Sequence, residues 1–240
     1  MFKKVRCEST ADRRNFLMLV GVAGAAASVL PSAGTASAIE MHNDATATAL
    51  LRVAAKKQPR AAKTSQTAAA LRDLWVGHVF WVRNVSWTTF DRNDAAMKVA
   101  EQQAVANAQS LAAAIEPFYG AAAKEAFFKL LAGHYGAVKA YLTATANGDA
   151  SAQATATQSL TSNAEEIAIF LSKANPYLSK DAVYGLLLAH GGHHVQQIQE
   201  LKDRKYDAEA KTWEDMKNHV YRIADATADA LAKQFAAKFS

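Results

Sequence analysis

Apolar residues recur at i, i+3, i+4 and i+7 spacing through nearly all of residues 66–238, and no segment alternates at period two long enough for a strand. A period near 3.6 puts those residues on one face of a helix, so each segment has one stripe to bury against its neighbours. Alanine, the best helix former, is abundant, while Gly and Pro fall mostly at breaks. The breaks are Asp91-Arg92-Asn93-Asp94, Pro117-Phe118-Tyr119-Gly120, Asn147-Gly148-Asp149, Asn175-Pro176 and the charged loop 203–207. They predict helices over 66–90, 94–115, 121–146, 151–173, 180–202 and 208–238. The fold class expected is all-α: an antiparallel up-and-down bundle of about six helices with a four-helix-bundle-like core. It occupies one domain, 66–240, with no second domain and no evident internal repeat.

The stripes are not purely apolar. His78, His134 and His190 lie near the midpoints of their helices, and His219 somewhat before the midpoint of its own. Asn163 and Glu166 lie halfway along 151–173, and Asn107 in the later half of 94–115. Midpoints stay level when neighbouring helices reverse direction, so these groups should share one layer. Each buried polar group without a partner costs roughly 1–3 kcal/mol, and an ionised Glu more. Two arrangements offset that: a network of imidazoles, carboxylate, Asn and water, or a metal ion inside the layer. Imidazole suits iron, copper and zinc, and a carboxylate completes a mixed nitrogen and oxygen set. The expected ligands are His78, His134, Glu166, His190 and His219. Asn84, Asn107, Asn163, Asp225 and His194 are expected around them as orienting partners.

His190-Gly191-Gly192-His193-His194 adds an i, i+4 histidine pair, but no Glu follows His190 as in the zinc-protease helix. The Glu-x-x-His signature of di-iron carboxylate bundles is absent from the sequence. A b-type haem between two of the histidines, walled by Trp75, Phe80 and Trp81, is a further alternative. No catalytic triad ordering, phosphate loop or nucleotide motif is present, so the sequence assigns no catalytic residue.

The formal charge of +5 overstates the basicity of the folded part. Residues 1–38 hold five Lys/Arg against two acids, leaving 22 basic and 20 acidic residues for the remainder. That balance gives no basic face for nucleic acid. Asp12-Arg13-Arg14-Asn15-Phe16-Leu17-Met18 resembles a twin-arginine export signal, followed by an apolar run to Leu30 and an Ala36-Ser37-Ala38 cleavage site. The resemblance implies removal of 1–38, passage through the twin-arginine machinery, and a periplasmic or extracellular protein without a membrane anchor. The apolar run is shorter than the roughly 20 residues a spanning helix needs. Cys7, the sole cysteine, lies in that segment, so the mature chain has neither thiolate ligand nor disulfide. Residues 39–65, rich in Ala, Thr and Lys, read as a linker or a loosely docked helix.

Leu74-Trp75-Val76-Gly77-His78-Val79-Phe80-Trp81-Val82-Arg83-Asn84-Val85, Ile115-Glu116-Pro117-Phe118-Tyr119-Gly120 and the run from Asn163 to Pro176 resemble a little-characterised family of bacterial helical-bundle proteins. The likeness covers roughly residues 70–239 and implies histidines at the positions of His78, His134, His190 and His219. His193 and His194 depart from it. Glycosyltransferase labels attached to some members find no sugar-nucleotide fold here, and the family implies a fold and a polar layer rather than an activity.

Overall fold

The computed structural model describes the chain from residue 45, with side chains from residue 60. The export signal and cleavage site lie outside the described residues. Helix α1 spans Ala45–Phe90, α2 Asp94–Asn147, α3 Ala150–Ala174, α4 Lys180–Lys202 and α5 Tyr206–Gln234; a short 3-10 turn, Ala236–Lys238, follows. The described residues contain no strand, and none of their helices is long and apolar enough to cross a membrane.

Two boundaries differ from the sequence expectation. The first helix begins well before residue 66 and takes in the later part of the 39–65 stretch. There Arg60 Nη2 donates to the Ala232 carbonyl at 2.8 Å, and Lys63 reaches the Ser240 carbonyl. The expected second and third helices form one element, giving five α-helices among the described residues instead of six. Pro117 is accommodated inside α2, and the break narrows to Gly120, whose φ of 82° and ψ of 174° are non-helical. That backbone conformation suits glycine because it has no Cβ to clash.

The remaining starts follow local chemistry. The side chains of Asn93, Asp149 and Ser179 accept hydrogen bonds from the backbone N–H of Ala96, Ala152 and Ala182, each capping a helix start. In α3 the buried positions are Ala156, Leu160, Asn163, Ala164, Ile167 and Ala168, a stripe at helical spacing.

The structure also carries an internal repeat that hydrophobic periodicity alone does not reveal. Left-handed residues recur every 56 positions, at Arg92, Gly148 and Arg204, with φ of 55°, 70° and 58°. The next residues, Asn93, Asp149 and Lys205, each return a backbone N–H to the carbonyl five residues back, on Thr88, Ala144 and Glu200. Helices then start at Asp94, Ala150 and Tyr206. Core positions keep the interval: Leu111, Ile167 and Ile223 are buried, as are Ala112, Ala168 and Ala224. The chain is therefore three helical hairpins in series. They are α1 with the first part of α2, the second part of α2 with α3, and α4 with α5.

Successive helices pack on one another, α5 returns to α1, and α4 reaches both α1 and α2. Leading helices of the three hairpins thus meet at the centre. The apolar core falls into two clusters along them. One holds Leu71, Trp75, Leu131 and Leu187; the other holds Val82, Val85, Val138 and Ile198. Between the two lies a layer that is not apolar.

Candidate metal centre

His78, His134 and His190 follow one another at the repeat interval, one from each leading helix. Their ring centroids form a nearly equilateral triangle with sides of 6.2, 5.6 and 5.4 Å. His194, one turn beyond His190, leans over it, with centroid distances of 4.6 Å to His190, 5.9 Å to His78 and 6.1 Å to His134. All four are buried, and each offers a nitrogen within 4.8 Å of those of the other three. No carboxylate joins them among the described residues.

Burial decides the charge of these rings. It pushes the His78 imidazole down to about 3, with the neighbouring His134 adding to the effect. His134 falls to about 4. The Asn163 amide partly offsets that fall, although it completes no hydrogen bond to a nitrogen of the ring. Burial and the proximity of the other imidazoles hold His190 and His194 well below the ordinary 6.5. At neutral pH all four are uncharged, the form in which imidazole offers a lone pair to a metal.

Those lone pairs are unused. His78 Nδ1, both nitrogens of His134 and His190, and His194 Nε2 are buried with no protein hydrogen-bond partner. An imidazole network would show N–H donors meeting lone pairs, and here none do. A zinc or copper ion with bonds of about 2.0–2.1 Å holds its nitrogens at most about 4.2 Å apart. Nitrogens already within 4.8 Å of one another would close on one ion by rotation and small shifts of the side chains. The donor set therefore fits a single ion. The space beside these rings, about 60 Å³, is far too small for a haem macrocycle, and Phe80, one of its expected walls, is an exposed residue.

The other expected site residues fall elsewhere, each for a physical reason. Glu166 is exposed because the buried stripe of α3 runs through Asn163, Ala164 and Ile167, and Glu166 projects well over a quarter turn from its centre. His219 is buried but outside the cluster, with Nε2 2.8 Å from the Leu186 carbonyl. A carbonyl only accepts, so that nitrogen carries the proton and is not a ligand. Asp225 lies at the surface in a bidentate ion pair with Arg72, at 2.7 and 2.5 Å. Asn84 donates to the Phe80 carbonyl of its own helix. His194, expected as an orienting partner, is brought into the cluster itself.

Asn107 and Asn163 do support the layer, by a device the repeat makes plain. Asn107 donates to the Leu74 carbonyl and Asn163 to the Leu130 carbonyl, both at 3.0 Å, and His219 takes the same place on Leu186. Each carbonyl lies four residues before a histidine of the triad, so the trailing helix of every hairpin clamps the turn that presents its imidazole. Gly77 and Gly133 make room for the two amides: a Cβ there would sit 2.8 Å from Asn107 Nδ2 and 3.2 Å from Asn163 Nδ2. In the third hairpin Ala189 replaces that glycine, and the longer His219 replaces asparagine.

A second buried polar group escaped sequence reasoning. Glu209, 1% exposed, receives both Arg83 Nε and Nη2 at 2.5 Å and Gln197 Nε2 at 3.1 Å. Arg83 also lies over the Trp213 ring. Every donor and acceptor in this group is matched, which marks it as a strut between α1 and α5. Glu209 sits among charged residues in sequence, so no apolar stripe flagged it.

Comparisons with protein-family models, with curated proteins and with solved structures gave no match for the chain.

Proposed function

We propose that this protein binds one transition-metal ion in the core of its helical bundle, through His78, His134, His190 and His194, as a metal store, carrier or small redox protein. The observation that carries the proposal is four buried, uncharged imidazoles whose converging nitrogens have no other partner. Orphaning so many polar atoms, at roughly 1–3 kcal/mol each, has an evident compensation if an ion takes up the lone pairs. An all-nitrogen set without thiolate or carboxylate suits copper, zinc or iron. Ion pairs that link α1 to α5 in reverse order, Arg72 with Asp225 and Arg83 with Glu209, support the up-and-down antiparallel arrangement.

The proposal extends to the cell. The Arg13-Arg14 signal and Ala36-Ser37-Ala38 site support export of the folded protein by the twin-arginine machinery to the periplasm or beyond. The motifs at 74–85, 115–120 and 163–176 support membership of the bacterial helical-bundle family they resemble.

Elemental analysis of the protein purified from its natural compartment tests the central claim. About one equivalent of a transition metal is expected, falling sharply in His134→Leu and His190→Leu. Less than a tenth of an equivalent, with no tight binding on reconstitution, overturns the proposal and favours an apo polar layer that fixes helix register.

A further inference from the structure

The histidine layer has two unlike sides. One turn beyond the triad, His194 covers it. On the other side lies a cavity of about 60 Å³ lined by residues one and two turns before each ligand. They are Trp75 and Leu71 on α1, Leu131 and Phe127 on α2, and Leu187 and Val183 on α4. His78, His134 and His190 form its wall at the layer, and His194 does not reach it. Beyond the imidazoles the lining carries two polar groups, the Trp75 indole N–H and the Thr227 hydroxyl, which already donates to the Ile223 carbonyl at 2.8 Å.

Size and polarity narrow what can occupy this chamber. One water needs about 10–15 Å³ and two to four polar partners. The space is several times larger, yet beyond the imidazoles and one indole N–H its lining is apolar apart from the engaged Thr227 hydroxyl. Ions and hydrogen-bonding molecules would be stranded among leucines, valine and phenylalanine. A small uncharged molecule would lose little hydration on entering and gain dispersion contacts on every side.

We propose that this chamber binds a small uncharged molecule of the size and polarity of dioxygen or nitric oxide, and presents it to the uncovered face of the bound ion. The presentation rests on the metal reading above; the chamber itself does not. An ion held by the three imidazoles, with His194 on one side of the layer, would have its opposite side toward the chamber.

The test has two arms. Xenon binding to the metal-free protein, followed by nuclear magnetic resonance, reads the chamber alone. Nitric oxide added anaerobically to the cobalt(II)-loaded protein, followed by the visible d–d bands, reads access to the ion. Xenon binding at a single site and a spectral change with nitric oxide are expected. Both should weaken by roughly tenfold or more in Ala226→Leu, which fills the lining from α5, while cobalt stoichiometry stays at wild type. Val183→Phe fills the same space from α4 and serves if Ala226→Leu does not fold. Cobalt that binds while neither xenon nor nitric oxide does overturns the chamber and leaves the metal site standing. Xenon that binds while no cobalt does overturns the metal reading and leaves the chamber. Xenon and nitric oxide responses untouched by both filling variants overturn the assignment to this cavity.

Discussion

Acid should unfold the metal-free protein through its core rather than its surface. In the folded chain His78 and His134 titrate at about 3 and 4, and His190 and His194 well below 6.5, all driven chiefly by burial. In the unfolded chain each returns to the ordinary 6.5. Below that value the unfolded state binds protons the folded state refuses. Stability is therefore full above pH 6.5 and falls as pH drops toward the folded values. Near pH 5, one ring kept neutral costs about 2 kcal/mol relative to pH 7.5, and four cost up to about 8 kcal/mol. Domains of ordinary stability have only 5–15 kcal/mol in total, so the metal-free protein should be close to unfolding there. Carboxylates ordinarily titrate at about 3.9–4.3, largely below this window. Urea unfolding followed by circular dichroism, at half-unit steps from pH 7.5 to 5 in the presence of a chelator, yields the proton uptake from the slope of stability against pH. An uptake of several protons is expected between pH 6 and 5. A slope equivalent to less than one proton would refute the reasoning, because it would mean the rings are hydrated or already charged in the folded state. Metal-loaded protein should start higher and lose stability more steeply, since protons then compete with the ion for the same nitrogens.

Four further outcomes follow from particular contacts. Arg83→Met leaves Glu209 buried without its cation and should cost about 3–5 kcal/mol in urea unfolding, with metal content unchanged in protein that remains folded. His219→Asn places in the third hairpin the residue that the first two use, so it should lower neither metal stoichiometry nor stability by more than about 1 kcal/mol. By contrast, His194→Leu should weaken metal binding at least tenfold in competition titrations while raising the stability of the metal-free form. Gly77→Ala drives a methyl against the Asn107 amide and should destabilise by about 1–3 kcal/mol, more than Gly133→Ala, where the approach is looser.

Much of this arrangement is legible in the sequence, and the limits are physical. Period 3.6 identified the helices, and polar residues near helix midpoints pointed to a common layer. His78, His134 and His190 needed nothing more. Glu166 was misplaced because a single helix shows only that a residue is near the stripe, whereas burial depends on an arc that packing partners define. His219 looked like a fourth ligand because a stripe position does not distinguish a ring facing an ion from one facing a carbonyl. His194 looked secondary because it departs from the family pattern that the other four histidines follow, although its place one turn beyond His190 already put it on the same face. The break at Gly120 was found, but proline alone suggested a longer turn than the single glycine that makes it. The repeat was missed because it rests on a few residues 56 positions apart, such as His78, His134 and His190 or Asn107 and Asn163, scattered among segments that otherwise differ.

Three hairpins in series also imply an order of assembly. Within each hairpin the clamp on the ligand turn joins residues 33 apart. The seam between α1 and α5 joins residues 126 and 153 apart, at Arg83–Glu209 and Arg72–Asp225. Closing a loop of 126 residues rather than 33 costs only about 1.2 kcal/mol more, but it demands that all the intervening pieces already be in place. The hairpins should therefore form early and the seam last. Substitutions in the clamps would slow folding, whereas loss of the Arg83–Glu209 strut would mainly hasten unfolding, a distinction stopped-flow kinetics on Asn163→Ala and Arg83→Met can draw. The last contact to close would also be the first to open, and an ion bound in the histidine layer would enter and leave the bundle along the line where the first helix meets the last.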